Sequence, residues 1–278
     1  MIPTGPYSPD TAQAVATGST AAGWIEQAGN GSTTDVWATR YNFEVMQGQL
    51  GLLACGQRDS MMRLRKALLP TPATQVKILC AGDSITWGYG SADRQGYRAW
   101  LADLIDQQRV HPVMSNVSYP GWKLSDLQPQ MASALSTSQP DIVLLNIGTN
   151  DHDTTVFTSA AYGALVDQIL AFSPTVKVAV ALVPISQADS NLISYEQAAN
   201  NVIQATYNAR STNPRVTLVD LTQVNTAQWC RDNLNNGITP PPGRWTFDGV
   251  HPSDAGYLTM ARMWANAVQP WVPGLTQI

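Results

Sequence analysis

The sequence predicts a three-layer α/β/α sandwich around a five-stranded parallel sheet, and three observations carry that prediction. Apolar runs near residues 76–82, 113–118, 141–147, 177–183 and 216–221 alternate with helical patterns near 97–109, 124–136, 159–172, 195–211 and 254–268. Alternation of this kind builds parallel strands joined by crossover helices. The runs are continuous rather than every-other-residue apolar, which means that both faces of the sheet are covered. The first 70 or so residues lack the alternation and are set off by Pro70-Thr71-Pro72. Five strand–helix units make a flavodoxin-like sandwich, whose chemistry belongs at the carboxyl ends of the strands.

Residues 1–40 are rich in Gly, Ser, Thr and Ala and read as loop or extended chain. Phe43 to Ala54 and Ser60 to Leu69 read as two helices, the second capped by Asp59 and stopped by Pro70. Their apolar residues Phe43, Val45, Leu50, Leu53, Leu64 and Leu68 are expected to pack on the sandwich. The chain therefore divides into an appendage, residues 1–72, and a main domain, residues 73–278. The first strand, Val76-Lys77-Ile78-Leu79-Cys80-Ala81, runs into Gly82-Asp83-Ser84-Ile85-Thr86. His111, before Pro112, reads as a connector, and Asn116-Val117-Ser118 then closes a strand that leads into Tyr119-Pro120-Gly121-Trp122. Asp141 to Ile147 is a buried-strand pattern ending in Gly148-Thr149-Asn150-Asp151. After the fifth strand an insertion from Asn225 to Arg244, containing Pro240-Pro241-Pro242-Gly243, is expected to wall a cleft before Asp248-Gly249-Val250-His251 and the last helix.

Chemistry is narrowed by the histidines, of which there are only three, at 111, 152 and 251. Only His251 has a carboxylate, Asp248, three residues upstream, where a tight turn brings it onto the ring and fixes the tautomer of a general base. Ser84, at a strand-to-turn junction, is the matching nucleophile. The backbone N–H groups of Ser84 and Gly121 and the amide of Asn150 would together hold an oxyanion. Each residue also has a plainer reading. Ser84 can cap a turn, Asp248 and His251 can form a solvated turn, Gly121 can be an ordinary turn glycine, and Asn150 can satisfy loop backbone. Asp83 and Asp151 read as loop-holding residues, and His152, between Asp151 and Asp153, as a surface-loop histidine rather than a metal ligand.

The four pieces Gly82-Asp83-Ser84, Gly121, Gly148-Thr149-Asn150-Asp151 and Asp248-Gly249-Val250-His251, in this order, resemble the SGNH (GDSL-type) hydrolase superfamily over residues 76–268. The resemblance implies ester hydrolysis without a cofactor. It assigns Ser84, His251 and Asp248 as the catalytic set and Ser84, Gly121 and Asn150 as the oxyanion hole. The wording of the first and last blocks is most similar to carbohydrate acetyl esterases, which implies a short acyl group on a small-molecule or glycan ester. Lysophospholipase, thioesterase and aryl esterase activities stay open, as does a binding module that keeps the fold. Trp87, Trp122 and Trp245 each lie near a block and are candidates for stacking on a sugar ring or lining an acyl pocket. The chain has no Gly-x-Ser-x-Gly, which excludes the nucleophile elbow of an α/β-hydrolase.

Composition sets the outer limits. Charged residues are 13% of the chain, against about 25% in an average soluble domain. A net charge of −4 with no basic run argues against nucleic acid as a partner. No apolar stretch approaches the ~20 residues of a membrane span, and Met1 to Tyr7 has neither the basic region nor the apolar core of a secretory leader. Few charges beside many Ser, Thr, Asn and Gln lean toward an extracellular enzyme. Three cysteines allow one disulfide. Cys80 sits in the first strand, which leaves Cys55 and Cys230 as the pair expected in an oxidising compartment. Without CxxC or ligand-spaced histidines, no metal site is expected. Oligomeric state is left open.

Overall fold

The computed structural model describes residues 52–68, 74–186, 190–222, 224 and 249–277. Five strands form one parallel sheet in the order β2-β1-β3-β4-β5: β1 (Thr74–Gly82), β2 (Val110–Ser118), β3 (Ile142–Asn146), β4 (Lys177–Leu182) and β5 (Val216–Asp220). Helix α1 covers residues 52–68. The others are α2 (Ser84–Trp87), α3 (Tyr97–Gln107), α4 (Leu124–Ser138), α5 (Ser159–Phe172), α6 (Ser190–Asn208) and α7 (Asp254–Val268). The expected fold class is the one observed.

The continuous apolar runs resolve into two cores because alternate strand residues point to opposite faces. On one face Ile78, Cys80, Ile142, Leu144, Ala179 and Ala181 meet α3 and α7 through Tyr97, Leu101, Tyr257 and Trp264. On the other, Leu79, Ala81, Val143, Leu145, Val178 and Val180 meet α4, α5 and α6 through Leu127, Leu165, Ile169 and Ile203. Leu79, Cys80, Leu144 and Trp264 are at most 1% exposed. Burying a side chain of this size contributes roughly 1.5–3 kcal/mol.

Two expectations are corrected. The second strand begins at Val110, so His111 and Pro112 are strand residues and not a connector. Proline is tolerated there because β2 is an edge strand, one side of which has no ladder to lose. In the appendage, residues 52–68 form one continuous helix that runs through Asp59 without a break. Asp59 caps nothing, since its carboxylate accepts from Arg58 Nε at 2.9 Å. Leu53, Leu64 and Leu68 are 64%, 49% and 71% exposed instead of buried. The helix docks by its polar side: Arg65 pairs with Asp103 and with Asp106 of α3. These ion pairs, with Cys55 and Arg58, turn the leucine stripe outward. Phe43, Val45 and Leu50 lie outside the described residues. Among the described residues no helix is long and apolar enough to cross a membrane.

Candidate active site

The first three sequence blocks leave the sheet at one level. Gly82 ends β1 in register with Ser118 of β2 and Asn146 of β3, so the loops carrying Ser84, Gly121 and Asn150 start side by side at the carboxyl edge. Packing dictates the glycine at 82. A Cβ there would lie 2.1 Å from the Asn146 carbonyl oxygen and 2.4 Å from Thr86 Oγ1. Asp83 then caps α2 by accepting the Ile85 N–H at 3.0 Å. The other end of that single turn is held by Arg98, whose Nε and Nη2 donate to the carbonyls of Thr86 and Trp87, each at 3.0 Å. Ser84 is thereby fixed between two anchored ends. Asp83 is fully buried, and burial pushes its carboxyl up to about 6, against the pull of the Ile85 N–H and the nearby His251.

His251 closes on Ser84 from the opposite end of the sequence. Its Nε2 lies 2.9 Å from Ser84 Oγ, within reach for a neutral imidazole to accept the hydroxyl proton. The Tyr89 ring packs on the imidazole, with centroids 4.5 Å apart, and Tyr257 Oη donates to the Tyr89 carbonyl at 2.5 Å. Ser253 caps α7 directly after the histidine. Asp248 and Trp245 lie outside the described residues, as does Cys230.

Gly121 sits at φ +83°, a left-handed conformation in a turn closed by Trp122 N–H to the Tyr119 carbonyl at 3.2 Å. Glycine is therefore demanded by backbone geometry there. The Asn150 amide donates to the Trp122 carbonyl at 3.0 Å, which ties the second block to the third. That bond uses one of two amide hydrogens, leaving the other for a ligand. Asp151 accepts the Leu124 N–H at 3.1 Å at the start of α4. Asp83 and Asp151 hold the loops as the sequence reading expects.

His152 stacks flat on Tyr195, with centroids 4.7 Å apart. Trp122 is half-buried beside Tyr119, and Trp87 lies 5.8 Å below the Arg94 guanidinium. Cys55 is a free, buried thiol whose Sγ donates to Asp254 Oδ1 at 3.8 Å, and its expected partner Cys230, with the pairing, lies outside the described residues. Burial raises that thiol well above the ordinary range. Cys55, Asp93 and Asp254 present ligand atoms within 4.8 Å of one another, and Arg58 Nη2 pairs with Asp93 Oδ2 at 2.7 Å.

Three residues near the site escape sequence reasoning: Tyr89, Arg98 and Glu196. Glu196, on α6, is fully buried and accepts the Ser186 N–H at 2.6 Å in the loop after β4. Burial pushes it up to about 7. A signal existed for it, since Glu196 precedes the core residues Ala199 and Ile203 at helical spacing. Tyr89 and Arg98 gave none, because their partners come from other elements that only the fold brings near.

A model of the GDSL-like lipase/acylhydrolase family matches residues 80–258, more than half of the chain, and the chain belongs to that family. It is a hydrolase by that membership. No curated protein matches it. Solved structures show the same fold at low identity. A lipase/acylhydrolase from Enterococcus faecalis is 19% identical with a TM-score of 0.57, over 73% of this chain and 100% of that one. A family 3 carbohydrate esterase from Clostridium thermocellum is 24% identical with a TM-score of 0.52, over 70% and 96%. An acetyl xylan esterase from Geobacillus stearothermophilus is 20% identical with a TM-score of 0.52, over 70% and 95%.

Proposed function

We propose that this hydrolase is a serine esterase for short acyl, chiefly acetyl, esters, including those on carbohydrates. The observation that carries the reading is the 2.9 Å approach of His251 Nε2 to Ser84 Oγ at the carboxyl edge of the sheet. His251 takes the hydroxyl proton as Ser84 Oγ attacks the ester carbonyl. The oxyanion that develops is held by the backbone N–H groups of Ser84 and Gly121 and by the second amide hydrogen of Asn150. His251 returns the proton to the leaving alcohol, giving the acyl-enzyme. It then takes a proton from the water that attacks the acyl carbonyl and returns it to Ser84 Oγ as the acyl–Oγ bond breaks and the carboxylic acid leaves. Asp248 takes the role of fixing the His251 tautomer through Nδ1.

For the substrate, the support is the wording of the motifs, the carbohydrate esterases among the structural neighbours, and aromatic residues close in sequence to the motif blocks. Trp87, Trp122 and Trp245 are proposed to contact the substrate, Trp122 together with Tyr119. Residues 1–72 are proposed as an appendage to the catalytic domain 73–278 and not a sixth strand–helix unit.

The test is hydrolysis of p-nitrophenyl acetate by the wild type and by Ser84→Ala. The variant should lose at least ~10⁴-fold in kcat with its melting temperature retained, because members of such a set act as a unit. A variant keeping a tenth of wild-type activity removes Ser84 from the role.

A further inference from the structure

Helix α1 lies upstream of the family match, which begins at residue 80, yet it docks on the two segments that flank the reacting pair. One is the loop from Gly88 to Gly96, which follows α2 and so follows Ser84. The other is the first residue of α7, Asp254, three positions after His251.

The contacts form two short chains. In the first, Arg58, 4% exposed, places Nη2 2.7 Å from Asp93 Oδ2 and lies 4.8 Å over the Trp100 ring. Asp93 in turn accepts the Gln95 N–H at 2.9 Å. Ser91 Oγ donates to the Gly88 carbonyl at 2.8 Å and accepts the Gly96 N–H at 3.0 Å, so the loop is pinned at both ends. The loop so held carries Tyr89, the residue whose ring rests on His251. In the second chain, Cys55 donates to Asp254, and Asp254 accepts the Ala92 N–H at 3.3 Å. The start of α7 and the Tyr89 loop are thereby clamped together under α1.

We infer that α1 is a positioning element of the catalytic unit, with Arg58 acting through Asp93 and the Tyr89 loop to hold His251 against Ser84. The inference rests on the serine esterase reading of that pair. Its chemistry is that of preorganisation: a base displaced by about 1 Å from its partner can lose on the order of 10²-fold in rate. Arg58 touches neither Ser84 nor substrate, so it is a positioning and not a catalytic residue.

The discriminating variant is Arg58→Met combined with Asp93→Asn. The two charges of the buried pair are removed together, and Asp59, which loses its Arg58 partner, is half-exposed; replacing a buried ion pair as a whole is often close to neutral in stability. The amide introduced in place of the Asp93 carboxylate keeps an acceptor for the Gln95 N–H. On p-nitrophenyl acetate the double variant should lose about 10- to 100-fold in kcat with KM within about twofold. The rate at which diethyl p-nitrophenyl phosphate modifies Ser84 should fall in proportion, since that attack also needs His251 to take the proton. A control, Arg210→Met with Asp167→Asn, removes a more exposed ion pair between α5 and the turn after α6, with Nη2 2.7 Å from Asp167, and should leave both rates unchanged. If the double variant does not fold, Arg58→Lys keeps the charge but loses the planar fork, and its phosphorylation rate per titrated site should still drop. A folded variant whose two rates stay within twofold of wild type overturns the inference. Ser84→Ala runs alongside. If it hydrolyses the ester as well as the wild type, the esterase reading itself has failed and the inference falls with it. If it is inactive while the double variant is not, only the positioning role has failed.

Discussion

Replacing Glu196 by glutamine should make the protein more stable at alkaline pH and leave it nearly unchanged in acid. The carboxyl group is fully buried, with Oε2 on the Ser186 N–H at 2.6 Å and Oε1 buried without a partner among the described residues. Burial, with a smaller push from the charge of Asp83, raises it from 4.5 to about 7. Between those two values the folded chain keeps a proton that the unfolded chain has released. Unfolding therefore releases a proton, and stability falls as pH rises through this window. Above the folded value the whole penalty is present. At 1.36 kcal/mol per pH unit it is on the order of 3 kcal/mol. Glutamine keeps a neutral acceptor for Ser186, as the protonated carboxyl does, and the shift already contains the hydrogen bond to the charged form, so none of that gain is returned. About 3 kcal/mol corresponds to roughly 6–12 °C in melting temperature for a domain of this size. Asp83, Asp151 and Asp254, each pushed up to about 6 by burial, tilt both proteins in the same direction and largely cancel in the comparison. Melting of wild type and Glu196→Gln should be followed at pH 5, 6, 7 and 8. A difference that does not grow between pH 5 and 8 would show that Glu196 ionises as an exposed carboxylate does, and the burial argument would fail.

Other expectations follow from the same geometry. Gly82→Ala drives a Cβ to 2.1 Å from a backbone oxygen of β3, which no side-chain rotation relieves. A loss at or above the upper end of the ~1–3 kcal/mol range for overpacking is expected, with kcat falling as Ser84 moves, and chemical denaturation reads it directly. Asn150→Ala should cost about 10²–10³ in kcat with little change in KM; an effect confined to KM would make Asn150 a substrate-positioning residue. Activity on p-nitrophenyl esters should fall steeply from acetate to octanoate, and a preference for octanoate would favour the lipase or thioesterase reading.

Much of the fold was legible in local pattern, and the reason is short-range. Ser159–Phe172 and Asp254–Val268 match their expected helices because apolar spacing and the capping residues Thr158 and Ser253 define them within a few residues of chain. The end of β1 at Gly82, and the loops carrying Ser84, Gly121 and Asn150, were likewise readable, since a buried parallel strand writes itself as a continuous apolar run ended by glycine. The one strand start that was missed, at Val110, hung on Pro112, whose tolerance depends on β2 being an edge.

By itself the sequence determined which residue types wanted burial, where the chain had to turn, and which side chains were candidates for a nucleophile and its base. Tertiary structure decided who meets whom. Ser84 and His251 are 167 residues apart, and only the sheet order with the return of α7 brings them to 2.9 Å. The same holds for Glu196 under the loop after β4, Arg98 beneath the Ser84 turn, and Tyr89 against His251. It holds most clearly for α1, where the apolar stripe of Leu53, Leu64 and Leu68 predicted a buried face and the polar side docked instead. Amphipathicity states a preference for burial. The competing ion pairs of Arg58 and Arg65 with aspartates from distant elements are invisible until the chain has folded, and they chose which face went in.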